Sequence, residues 1–209
     1  MPKLFIDIET LPSEVMPSPD EITPPSNYKD PAKIRAYQES KVEECYRKQS
    51  LDSMKGRILC IGWAVDDEEP QCVYSPDADE DVILATFHRC IEHHPSVEWV
   101  GHAIKHFDLL WLCRKSIKYN LHKLAWMIPT ARYADAITDT AELWSFTDWK
   151  NYCKLDDIAK FLGIPGKNGF DGSMVYDAWL AGEHEKIREY CKDDVRMVRE
   201  VYQRIMERE

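Results

Sequence analysis

The run Leu4-Phe5-Ile6-Asp7-Ile8-Glu9-Thr10 constrains the fold of this 209-residue chain more than any other segment. Residues 3–8 are β-rich and apolar, which predicts a buried strand. Side chains two apart on a strand point to one face, so Asp7 and Glu9 share a face. Two carboxylates side by side repel, and burying them is costly unless a cation intervenes. A solvated strand end is the other reading of the same pattern.

Two later segments carry comparable groups. Residues from 183 to about 204 read as a helix, because Ile187, Cys191, Val195, Val198, Val201, Tyr202 and Ile205 keep three-and-four spacing. Tyr190 and Asp194 are four apart and lie on one face of it. Taken alone, they also read as a tyrosine at a core edge beside a solvated aspartate. Residues 97–100 read as a strand and 106–118 as a helix, with Asp108 in its first turn. An aspartate there serves as an N-cap or as a metal ligand. Acids that converge from separate segments usually hold divalent metals, which hydrolyse phosphodiesters without a base from the protein.

The rest of the chain is a β/α succession with one insertion. Residues 12–27 carry Pro12, Pro17, Pro19, Pro24 and Pro25 and read as a loop. Asp30-Pro31 is a cap and first-turn pair for a mostly polar helix over about 31–48. Strands are predicted over 57–65 and 71–74, a helix over 79–93, and short helices over 155–162 and 173–180. Residues 131–137 stay open. One domain over 1–209, with the loop and helix of about 12–50 as an insertion, is the default at this length.

No run is long and apolar enough to span a membrane, and no signal peptide precedes the first strand. Seven cysteines without a Cys-X-X-Cys pair argue for reduced thiols and against a zinc site. These features lead us to expect a cytoplasmic protein, with no membrane partner.

The net charge of −10 is unusual for a nucleic-acid binder. The charge is uneven, however. Residues 109–134 contain no acid, while Arg114, Lys115, Lys118, Lys123 and Arg132 are basic. That window reads as an electropositive track leading away from Asp108, or as a solvated helix face. The aromatic residues Trp144, Phe146, Trp149 and Tyr152 suit core packing better than base stacking.

Together, Asp7-X-Glu9, Gly101-His102 followed by Phe107-Asp108, and Tyr190-X-X-X-Asp194 resemble the three motifs of the DEDD superfamily of 3′-to-5′ exonucleases, in its tyrosine variety. The histidine variety has His five before the last Asp, where this chain has Glu189. Asp30-Pro31-X-Lys33-Ile34, Leu51-Asp52, Gly56-Arg57-Ile58, Leu155-Asp156 and Gly172-Ser173 are similar to stand-alone exonucleases of phage or bacterial type. Those are related to the proofreading domain of family-B DNA polymerases.

The resemblance implies an α/β, ribonuclease-H-like fold, a mixed central sheet flanked by helices. It implies catalytic Asp7, Glu9, Asp108, Tyr190 and Asp194, the four carboxylates holding two Mg²⁺ or Mn²⁺ ions. Tyr190 would orient the attacking water. Thr10, Leu11, His102, Ala103 and Phe107 would contact the nucleotide, with Leu11 wedged against the terminal bases. The family usually has Asn where this chain has Ala103; if the turn is rebuilt, Lys105 or His106 holds the nucleotide instead. The implied substrate is single-stranded DNA or a DNA 3′ end, in a bacterial cytoplasm or phage-infected cell. A separate polymerase or replication protein is the implied kind of partner. A weakly active accessory subunit and an exoribonuclease of the same superfamily are the alternatives.

Overall fold

The opening apolar run forms β1 (Lys3–Leu11), longer at its C-terminal end than its composition predicts. After the proline-rich segment comes α1 (Pro31–Lys48), where the Asp30 carboxylate accepts from Ala32 N at 2.9 Å and Pro31 opens the first turn. Only Tyr46 of α1 is buried, as its polar composition requires. Then follow β2 (Arg57–Val65), β3 (Gln71–Tyr74), α2 (Glu80–Ile91), β4 (Glu98–Gly101), α3 (Asp108–Lys118) and α4 (His122–Met127). The chain continues through β5 (Ile137–Asp139), α5 (Thr140–Ser145), α6 (Leu155–Leu162), α7 (Val175–Leu180) and α8 (His184–Met206). This computed structural model describes residues 1–131, 134–146, 148, 152–167 and 169–207. Arg132 and Trp149 lie outside the described residues.

The strands form one mixed sheet in the order β3-β2-β1-β4-β5. β2 runs antiparallel to β1 and β3, while β4 runs parallel to β1 and β5. This is the α/β, ribonuclease-H-like architecture that the motifs imply. Alternation along β1 divides its side chains between the two faces of the sheet. Leu4, Ile6 and Ile8 pack with Ile83, Phe87 and Trp111 of α2 and α3. Phe5 packs with Val198, Val201 and Tyr202 of α8, and Leu11 with Ile187 and Tyr190. Asp7 and Glu9 therefore fall between Phe5 and Leu11, on the α8 face.

Two local features mark the strand pair beside that face. Glu9 pairs with Cys60 and Thr10 with Ile58, so Leu59 is the extra residue of a β-bulge. Gly62 lies opposite Asp7, and a Cβ there would stand 2.8 Å from Cys191 Sγ. A side chain at position 62 would thus push α8 away from the sheet.

The open segment 131–137 ends in β5, which joins the edge of the sheet beside β4. Three residues are too few to carry a periodic signal. Among the described residues, no helix is long and apolar enough to cross a membrane.

Candidate functional site

β1 and α8 bring the first and third motifs together. Asp7, Glu9 and Asp194 place carboxylate oxygens within 4.8 Å of one another, although they come from the first strand and the last helix of the chain. Burial pushes the Asp7 carboxyl well above the usual range, and the charges of Asp194, Glu9 and Asp108 raise it further. Glu9 is raised by burial and then by Asp194. Asp194 is raised by burial despite its lysine partner. Such a cluster is poised to exchange protons for a cation.

Asp108 stands outside that group of three, at the N-terminus of α3. Its Oδ1 accepts from Ile8 N at 3.1 Å, which ties the second motif to β1. Burial raises its pKa to about 7, against the lowering effect of its backbone hydrogen bonds. The turn before it is held by Asp139, whose carboxylate accepts from Ala103 N at 2.9 Å, Lys105 N at 3.4 Å and Ala141 N at 3.0 Å. Ala103 sits at φ +56°, in the left-handed region that an alanine seldom occupies.

Two of these neighbours were not singled out by the motifs. Asp139 is legible in retrospect: Asp139-X-X-Glu142 has the form of a helix-start box. Lys167 is not. It lies in a glycine-flanked loop and reaches the site only through the tertiary fold. Its Nζ donates to Asp194 Oδ2 at 2.7 Å and also to the Tyr190 hydroxyl. Burial alone would lower Lys167, but the charges of Asp194, Asp7 and Glu9 outweigh it and hold its pKa up. Tyr190 is driven far up, by burial first and then by Glu9 and Asp194, so it stays protonated. A cleft of about 670 Å³ opens here, lined by Asp7, His102, Lys154, Lys160, Lys167 and Asp194 among others.

One expected contact is corrected, and the others are placed as follows. Leu11 is 0% exposed and packs beside Tyr190 and Phe170, so it does not meet a terminal base. The alternation that turns Glu9 toward α8 also turns Leu11 inward. Thr10 is half-buried, and its hydroxyl donates to Ser50 O at 2.6 Å. Both His102 ring nitrogens are engaged, with Thr140 Oγ1 at 3.0 Å and Cys153 O at 2.9 Å. Phe107 is half-buried against Trp111, with ring centroids 5.7 Å apart. Lys105 is ion-paired with Glu142 at 2.5 Å.

The basic window does not form one track. Lys115 is 3% exposed, bonds Gly56 O, and pairs with buried Glu80 at 2.8 Å. Lys118 leans on the same Glu80 at 3.2 Å, and Arg114 donates to Ser53 Oγ at 2.8 Å. Lys123 is exposed. The window lacks acids in sequence, but α2 supplies one in space. The aromatic segment divides: Trp144 packs against the core beneath α8, as expected, while Phe146 and Tyr152 are 61% and 48% exposed and are not core residues. Tyr152 packs edge-on against His106, with ring centroids 6.0 Å apart, close to the second motif.

The sequence model of a family described as predicted 3′-5′ exonucleases related to the exonuclease domain of PolB matches residues 57–209. The match takes in Asp108, Tyr190 and Asp194 and leaves out β1. No curated protein matches. Among solved structures, the family B DNA polymerase from the hyperthermophilic archaeon Pyrobaculum calidifontis is similar, with a TM-score of 0.62 at 15% identity. The similarity covers 99% of this chain and 24% of that one, so the chain spans about a quarter of the polymerase's length. At that identity the likeness is one of fold.

Proposed function

The chain belongs to the family of predicted 3′-5′ exonucleases related to the exonuclease domain of PolB, and from that premise we propose a metal-dependent enzyme that trims single-stranded DNA from its 3′ end. The products are nucleoside 5′-monophosphates. One observation carries this reading: Asp7, Glu9 and Asp194 converge within 4.8 Å, and burial holds all three carboxyls above the usual range, with the charge of Asp194 raising Asp7 and Glu9 further.

The donor set fits a divalent ion. All the groups are oxygen donors, which suits Mg²⁺ or Mn²⁺. Asp194 Oδ1 is buried with no hydrogen-bond partner among the described residues, an acceptor in want of a cation. Asp7, Glu9 and Asp194 would hold one ion, and Asp7 with Asp108 a second. Bound there, the ions supply the charge that activates water and stabilises the leaving 3′ oxygen.

The chain's own groups do the positioning. Tyr190 stays protonated, so its hydroxyl orients the attacking water instead of taking its proton. Lys167 balances the carboxylates without metal, and its ammonium is within reach of a phosphate entering the cleft. Exposed Phe146 and Tyr152 offer faces on which unpaired bases stack. Stacking is indifferent to the sugar, so DNA and RNA strands are compared directly.

The test is digestion of end-labelled single strands with Mg²⁺ or Mn²⁺. We expect a ladder that begins at the 3′ hydroxyl, release of 5′-monophosphates, and none of either from folded Asp7→Ala or Asp194→Ala. Full activity in either variant, or attack from the 5′ end, overturns the reading.

A further inference from the structure

Three of the cysteines, far apart in sequence, meet behind the carboxylates. Cys60 of β2, Cys72 of β3 and Cys191 of α8 place their Sγ atoms within 4.8 Å of one another. The ladder and the helix build this cluster together. Cys60 faces Tyr74 and Gly62 faces Cys72, so the two strand cysteines are diagonal neighbours on one face. Cys191 reaches that face because Gly62 offers it no side chain. All three are free thiols. Diagonal strand positions lie about 7–8 Å apart, at or beyond the usual disulfide span, so β2 and β3 keep their sulfurs separate.

Three sulfurs at this spacing form a donor set for a soft ion. Zinc–thiolate bonds of about 2.3 Å set tetrahedral sulfur–sulfur separations of about 3.8 Å. The side chains need to close by about 1 Å at most. Hard Mg²⁺ prefers oxygen, so the two neighbouring clusters sort ions by softness.

We propose that Cys60, Cys72 and Cys191 bind one thiophilic divalent ion of the zinc class, at a site distinct from the carboxylates and adjoining them through Cys191. Cys191 Sγ lies 3.8 Å from Asp7 Oδ2. On loading, the remaining S–H protons leave for solvent and three metal–sulfur bonds form, so that three thiolates and one divalent ion together carry one net negative charge. Compensation is at hand. Arg188 and Lys192 of α8 act electrostatically on Cys72, and the buried Arg188 Nε has no hydrogen-bond partner among the described residues. Entry is from the sheet edge, where β3 leaves Cys72 half-buried while Cys60 and Cys191 are buried. The proposal is independent of the nuclease reading, because neither its ligands nor its test involves hydrolysis.

The probe is Cd²⁺, added to reduced, chelator-stripped protein in excess Mg²⁺, with the ultraviolet sulfur-to-cadmium charge-transfer band followed. We expect saturation at one ion per chain. Cys72→Ser should weaken binding by about tenfold or more and lower the band by about a third. Cys90→Ser, which removes an exposed thiol, should change neither. Should Cys72→Ser fail to fold, alkylation of Cys72 in the parent reads the same site, and Cd²⁺ should block it. Absence of the band, a band that Cys72→Ser leaves intact, or alkylation that Cd²⁺ does not slow overturns the proposal.

Discussion

Lys167 Nζ stands 2.7 Å from Asp194 Oδ2, so a lysine from a loop occupies the flank of the carboxylate cluster where a metal ion would compete with it. Lys167→Met should therefore tighten Mn²⁺ binding in the absence of DNA, by up to about tenfold, or 1.4 kcal/mol. It should also slow hydrolysis if the ammonium turns to the substrate phosphate. Calorimetric titration with Mn²⁺ reads the first effect. Weaker binding in the variant would mean that Lys167 holds Asp194 in place and does not compete.

The metal-free protein should lose stability as pH rises. Burial raises Asp7 and Glu9 well above the usual range and Asp108 to about 7. The folded state thus keeps protons that the unfolded chain, with carboxyls near about 4, has released. Stability is fullest below the unfolded pKa and is lost as pH rises toward about 7. Lys167, with its pKa raised, keeps its charge throughout this window. Pairs such as Glu44 with Lys41, which hold Glu44 down at about 2, weaken only in stronger acid. Melting in chelator should give a lower Tm at pH 8 than at pH 5, and Mn²⁺ should raise Tm more at pH 8. A metal-free Tm that climbs over this interval contradicts the cluster's electrostatics.

Tyr190→Phe removes one hydroxyl and leaves the ring against Phe170, where the centroids are 4.8 Å apart. Metal binding should persist while the rate falls by about 10- to 1000-fold, the range of a positioning group. Single-turnover digestion at saturating Mn²⁺ measures it. An unchanged rate would leave the tyrosine a packing role only.

Ala103→Asn places at φ +56° a residue that tolerates the left-handed region. The denaturation midpoint should rise by the equivalent of about 1 kcal/mol. Catalytic efficiency should rise by a similar factor, as for one added hydrogen bond to the nucleotide. Higher stability with lower efficiency would show that the turn held by Asp139 serves a nucleotide pose different from the one the motif implies.

Lys115→Met should damage folding instead of DNA binding. It leaves Glu80 buried, with Lys118, Tyr119 and Ile58 N as its remaining partners. Breaking a buried pair from one side costs about 3–5 kcal/mol, and the remaining partners keep the loss toward the lower end. Urea denaturation reads this loss. A variant as stable as the parent but poorer at binding single strands would return Lys115 to the nucleic-acid surface.

The sequence by itself determined the strand that carries Asp7 and Glu9, the helix that carries Tyr190 and Asp194, and the order of the three motifs. Those are local matters. Period two and period three-to-four follow from backbone geometry, and Asp30-Pro31 acts on the turn it begins. Tertiary structure decided which charged groups face one another. An acid-free window was not acid-free once α2 set Glu80 against Lys115. Leu11 turned inward because β1 ran on past Glu9. Lys167 reached Asp194 from 27 residues away, and three cysteines without a common motif met across β2, β3 and α8. Coulomb interaction and coordination depend on distance in space, and the chain's local patterns record that distance only within a strand or a few turns of helix.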